Sequence, residues 1–100
     1  MKAKRAKKVV GITVLTRIEV FAEGAQFIGL CPDLNVSSFG DTEEEARRST
    51  REALELFFEQ CREMKTLEDV LGDAGYSSGA DGTWRPREPL LVERIKVEAA

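Results

Sequence analysis

Along residues 10 to 20, hydrophobic side chains occupy every even position but one (Val10, Ile12, Val14, Ile18 and Val20), while Gly11, Thr13, Arg17 and Glu19 fall between them. A period of two is that of a β-strand with one face on a core, so a long first strand is expected here. The odd face is not wholly polar, because Val9, Leu15 and Phe21 interrupt it, and that leaves room for a second contact surface. Residues 22 to 25 then predict a hairpin turn in which Gly24 takes positive φ without a Cβ penalty. Gln26 to Cys31 returns as the second strand, and Pro32, which has no N–H to give to a ladder, ends it. After the turn Asp33-Leu34-Asn35, residues 36 to 39 predict a short third strand, completing an antiparallel meander.

The period then changes. Gly40-Asp41-Thr42 stops the strand, and Thr42 with Glu45 three residues later reads as a capping box that satisfies otherwise orphan amides. Glu43, Glu44 and Glu45 suit the positive end of the helix dipole. Ala46, Thr50, Ala53, Leu54, Phe57, Phe58, Cys61 and Met64 recur at three- and four-residue spacing and share one stripe, with the pairs Glu43/Arg47, Glu44/Arg48 and Arg51/Glu55 on other faces. The pattern predicts an amphipathic helix of about 22 residues, laid across the sheet on its even face.

A shorter helix is expected from Thr66 as N-cap, presenting Leu67, Val70 and Leu71 before Gly72 and Gly75 end it. Asp81-Gly82 marks a tight turn, flanked by Tyr76 and Trp84, which either cross-stack in a small hairpin or cap the core edge. Residues 90 to 97 read as a last strand, parallel to the first through a right-handed crossover. The expected fold class is therefore α+β, in the order β-β-β-α-(short α)-β, with sheet order 3-2-1-4 and the long helix on one face. Residues 1 to 8 are read as a basic flexible tail and residues 9 to 100 as one domain.

Composition narrows the function classes. At 42% apolar and 33% charged over 100 residues, the chain is that of one globular domain able to bury its own core. No apolar run nears the roughly 20 residues a membrane span needs, and the basic N-terminus lacks a signal peptide's apolar stretch, so a soluble, cytoplasmic protein is expected. Lys2, Lys4, Arg5, Lys7 and Lys8 place five positive charges in the first eight residues, so with a net charge of −3 overall the other 92 carry −8. An acidic body suits a basic protein partner; the tail alone is placed to touch nucleic-acid phosphates. With two cysteines and no histidine, neither a disulfide framework nor a usual zinc site is available, and no metal or cofactor is expected. Cys31 and Cys61 read as small buried hydrophobes.

No catalytic residue stands out. A two-magnesium site would draw on Glu19, Glu45 or Glu52, and Glu98, each of which also reads as a solvated charge. A nucleic-acid surface built on Phe27 and Phe39 ranks below a protein-binding one, because the body is acidic and no RNP-like aromatic pattern is present.

The second strand, the P-D-L turn of residues 32–34, the third strand, the G-D-T-E-E-E-A cap of residues 40–46 and Glu52-Ala53-Leu54-Glu55-Leu56 together resemble the HicB-like antitoxins, over residues 9 to about 64. The resemblance implies a partial RNase H-like fold without the nuclease's catalytic acids, association as a homodimer or tetramer, and masking of a small HicA-type RNA-cleaving toxin. Many such antitoxins continue into a ribbon-helix-helix or helix-turn-helix segment; residues after Leu90 do not fit one, so operator binding is not expected. Residues 67 to 76 with Gly82-Thr83-Trp84 resemble the tail of shorter stand-alone HicB-like proteins, many of which have no demonstrated toxin partner. Candidate partner contacts are the outward residues of the first strand (Leu15, Arg17, Glu19), the edge strand Val36, Ser37, Ser38 and Phe39, and the acidic turns at Asp33 and Asp41, since exposed edges are templates for β-augmentation. Asp33 and Asp41 also have plain roles, as an Asx turn and as part of the helix start.

Overall fold

The turns place the meander where the alternation predicts it. The computed structural model describes residues 12–100; the expected basic tail and the start of the first strand lie outside the described residues. In chain order the elements are β1 (Thr13–Val14), β2 (Glu19–Glu23), β3 (Gln26–Cys31), β4 (Val36–Gly40), α1 (Glu43–Glu63), α2 (Leu67–Asp73), β5 (Ser77–Ser78) and β6 (Thr83–Arg85). Strands β2, β3 and β4 pair antiparallel in that order, Val20 facing Gly29 and Gly29 facing Ser38. Gly24 at φ 60° and Asn35 at φ 57° make the two reversals.

Alternation decides which face meets α1. The row Val20, Gly29, Ser38 and the pair Cys31, Val36 turn inward, and Gly29 and Cys31 are fully buried. Gly29 has a packing reason to be glycine: a Cβ there would fall 2.8 Å from the Ala46 carbonyl oxygen and against the Thr50 side chain. Close approach of backbone to backbone is what a glycine inside a strand permits. The α1 stripe supplies Ala46, Thr50, Leu54 and Cys61 to the interior, with Ala53, Phe57 and Phe58 half-buried. Thr50 satisfies its buried hydroxyl by donating to the Ala46 carbonyl at 2.7 Å. Met64 leaves the stripe; as the C-cap it is 70% exposed.

The caps depart in detail from their sequence signatures. Glu45 N–H donates to Thr42 Oγ1 at 3.0 Å, but the return bond goes one residue further back, from Asp41 N–H to Glu45 Oε1 at 2.9 Å. Thr66 makes no side-chain cap for α2; its hydroxyl donates to the Cys61 carbonyl at 3.4 Å. Both helices close with paired reverse bonds, Lys65 N–H to Arg62 O and Thr66 N–H to Cys61 O after α1, Gly75 N–H to Gly72 O and Tyr76 N–H to Leu71 O after α2. These are Schellman closures, which need a left-handed residue after the cap; Lys65 (φ 60°) and Gly75 (φ 93°) take that place.

Two expectations about the sheet are corrected. The first strand is not one ladder: inward and outward exposure alternate unbroken from Ile12 to Ile18, but β1 pairs parallel with β6 and β2 pairs with β3. The extended segment changes partners midway and so splits into two elements. The parallel partner is also not residues 90 to 97. Thr83–Arg85 takes that place, with Thr13 opposite Thr83, Val14 opposite Trp84, and Leu15 N–H donating to the Trp84 carbonyl at 2.8 Å. The hairpin Ser77–Ser78/Thr83–Arg85, turned by Gly82 at φ 81°, brings β6 there. Pro86 and Pro89 then deny the chain two ladder donors, and residues 90 to 97 remain outside any sheet. The order is thus β2-β3-β4 in one sheet and β1-β6-β5 in another, not 3-2-1-4.

The hydrophobic core cluster centres on Cys61, Leu67, Leu71 and Tyr76, with Val14, Phe57 and Trp84 packed against it. Tyr76 and Trp84 both serve the core edge. Among the described residues, no helix is long and apolar enough to cross a membrane.

Candidate functional site

Because α1 covers one face of the meander, the opposite face carries the other half of the alternation. Its rows are Glu19, Leu30, Ser37 and Phe21, Ile28, Phe39. Leu30 and Ile28 are half-buried between neighbouring strands, while Phe21 and Phe39 are 52% and 62% exposed. The face is apolar at its centre and acidic at its ends. At one end Arg17 Nε lies 3.8 Å from Glu19 Oε2 and 3.9 Å from Asp33 Oδ2, so Arg17, Glu19 and Asp33 gather, with Leu15 57% exposed on the same side of the segment. Such long, solvated ion pairs contribute little stability; they set charge. At the other end Glu23 pairs across from Gln26, and the Gln26 side-chain amide donates to Asp41 Oδ1 at 3.5 Å. Asp41 also starts α1 through its N–H.

The candidate contacts therefore divide. Leu15, Arg17, Glu19, Asp33, Ser37, Phe39 and Asp41 reach the open face or its margins, whereas Val36 and Ser38 turn their side chains toward α1 and offer only backbone at the sheet edge. Phe21, Ile28 and Leu30 complete the face and were absent from the candidate set. The signal for the last two lay in β3: Ile28 and Leu30 flank the small Gly29, and alternation points them away from the helix that Gly29 and Cys31 meet.

No family model matches the chain, and no curated protein or solved structure matches it.

A second constellation lies inside. Thr16, the one polar residue among the even positions of the first segment, places Oγ1 2.6 Å from Tyr76 Oη and 3.3 Å from Cys31 Sγ. Burial pushes the Tyr76 hydroxyl up from its ordinary pKa of 10.0, and the hydrogen bond with Thr16 offsets part of that. The three groups satisfy one another and join the β1–β2 segment, the end of β3 and the exit of α2. This is a core network whose partners are paired. Among the described residues, no group of three or more Cys, Asp or Glu side chains is placed to hold a metal ion. Glu19 stands on the open face, Glu45 and Glu52 on α1 behind the sheet, and Glu98 on the exposed C-terminal segment, so the carboxylates considered for a two-magnesium site are not gathered.

Proposed function

We propose that this chain is a HicB-like, antitoxin-type protein-binding module without catalytic activity, which masks a small, basic HicA-type RNA-cleaving toxin in the cytoplasm. The observation that carries the reading is the open sheet face: Phe21 and Phe39 bare beside Ile28, rimmed by Glu19, Glu23, Asp33 and Asp41. Apolar patches with polar rims mark interaction sites, and aromatic side chains are frequent energetic anchors in them. The acidic rim steers a basic partner and repels nucleic acid.

The test is a search for a small, basic, histidine-containing protein encoded beside this one and co-expression of the two; absence of such a neighbour removes the antitoxin role. The neighbour alone should arrest growth, and this chain should restore it. Phe21→Asp with Phe39→Asp, both at exposed positions, should abolish rescue and co-purification while leaving the helical circular dichroism unchanged. Rescue that survives the double substitution rules out this face, and a harmless neighbour removes the antitoxin role. A second reading, a stand-alone oligomeric HicB-like protein without a toxin, is favoured by one separate observation, the bare apolar segment at residues 90 to 97.

A further inference from the structure

We propose that the outer edge of β4 accepts a strand of the basic partner, so that the meander is extended by another protein; this rests on reading the surface as a protein-binding one. β4 (Val36–Gly40) pairs with β3 on one side only, and among the described residues no backbone bond reaches residues 36 to 40 from the other. An edge in this state offers its N–H and C=O groups to an added strand. Its sequence, Val36-Ser37-Ser38-Phe39-Gly40, holds neither a charge nor a proline to discourage pairing. The opposite edge of the same sheet, β2 (Glu19–Glu23), has a carboxylate at each end.

The helix above the edge supplies a second contact. A Cβ on Gly40 would fall 2.6 Å from Glu45 Cβ and 2.7 Å from the Ala46 nitrogen, so α1 starts directly over the end of β4. The side of α1 toward residues 12–20 presents Arg47, Arg51, Phe58 and Arg62. With about 100° between successive residues, the side toward β4 is then that of Ser49, Ala53 and Leu56. Ser49 and Ala53 are half-buried there, and Leu56 is 60% exposed. A strand laid along β4 turns alternate side chains onto this shelf and the others beside Phe39 on the open face, so both of its faces meet apolar surface.

Charge decides which strand fits. Asp41 follows β4 directly, Glu45 and Glu52 lie along the β4 side of α1, and Asp33, which shares Arg17 with Glu19, stands in the turn before the strand. The edge is thus apolar along its length and acidic around it. Its occupant is an alternating apolar strand flanked by lysine or arginine. A second copy fits poorly: pairing β4 with its own twofold image across Ser38 would bring Asp41 of each copy to the turn that carries Asp33 of the other, and like charges set side by side oppose pairing.

The probe is the synthetic peptide Lys-Val-Thr-Val-Thr-Val-Lys, titrated into the isotope-labelled full chain and followed by nuclear magnetic resonance. Amide signals of residues 36 to 40 and of Ser49, Ala53 and Leu56 should shift together and saturate, and the same peptide with glutamate in place of lysine should bind roughly tenfold more weakly. Ser37→Lys with Leu56→Lys, both at exposed positions, should weaken binding of the lysine peptide by about tenfold with circular dichroism unchanged, whereas Phe21→Ser, on the far strand of the face, should not. Saturation at other residues, none at millimolar peptide, or equal affinity for the two peptides overturns the proposal. So does a chain that alone scatters light at twice its 11.1 kDa mass with residues 36 to 40 protected from hydrogen exchange. Growth rescue that survives Ser37→Lys with Leu56→Lys overturns strand addition and leaves the antitoxin reading; a missing toxic neighbour with the peptide bound at β4 does the reverse.

Discussion

The two sheets hold together by different means. Strands β2, β3 and β4 share ladders five residues long, set by turns that reverse the chain at once, and α1 then seals one face. Strands β1, β5 and β6 share ladders of only two residues; what fixes them is the side-chain cluster of Leu71, Tyr76 and Trp84. The first region is local in sequence, whereas the second joins Thr13 to Thr83. Backbone pairing and helix cover dominate one, and burial with a single hydroxyl network dominates the other. Damage to each should therefore look different.

The largest effect is expected from Gly29→Val. The new side chain meets the Ala46 carbonyl and Thr50, backbone that moves only if α1 lifts from β3. Overpacking of this kind costs about 3 kcal/mol, read as a lower urea midpoint. A cost near zero would mean that α1 does not need close contact with the sheet, and the contrast between the regions would fail.

Next is Tyr76→Phe, which removes the phenol from Thr16 Oγ1 and leaves that hydroxyl half-buried beside Cys31. A loss of about 1 to 2 kcal/mol is expected, with Thr16→Val in the same background costing less than it does alone. The same group gives a pH signature. The raised Tyr76 pKa means the folded state holds its proton more tightly than the unfolded chain, so this stability is complete below pH 10 and is lost as pH rises through the folded-state value. With one tyrosine in the chain, phenolate absorbance should rise together with unfolding; ionisation near pH 10 without unfolding would show that the network is open to water.

This division also explains what could be read in advance. The meander, α1 and α2 were legible because each rests on neighbours in sequence: Gly24, Pro32, the Thr42 cap, the stripe through Leu54. The second sheet was not, because residues 90 to 97 have a stronger strand pattern than Thr83–Arg85, and only the hairpin at Gly82 decides which reaches β1. Thr16 looked like a defect in the alternation until Tyr76 was placed opposite it. On the open face, Leu15 and Phe21 were visible as apolar residues in the wrong register, but the siding of Ile28 and Leu30 required knowing that Gly29 meets the helix.

The two helix ends offer a smaller, paired test. Lys65 and Gly75 occupy the same left-handed position, which costs a side-chain-bearing residue about 1 kcal/mol. Lys65→Gly should therefore stabilise by about 0.5 kcal/mol, part of the relief being lost to the freer unfolded chain, while Gly75→Ala should destabilise by about 1 kcal/mol. Equal effects of the same sign would mean that the closures are not equivalent.

The smallest effect belongs to Asp81, at the exposed turn that feeds β6. The Arg85 guanidinium, 3.2 Å from Asp81 Oδ2, and the Thr83 N–H, 3.0 Å from Oδ1, hold the carboxyl down to about 2 from its ordinary 3.8. A depressed carboxyl pKa contributes stability that is complete above the unfolded value and disappears as pH falls toward the folded one. Asp81→Asn keeps an acceptor for Thr83 but loses the charge that Arg85 answers. The wild type should therefore exceed the variant slightly at pH 7, and the difference should vanish between pH 4 and pH 2. Because the pair is solvated, salt well above physiological strength should erase it as well. A difference that persists at pH 2 would instead place the contribution in turn geometry, and the second sheet would then owe more to its backbone than its two-residue ladders imply.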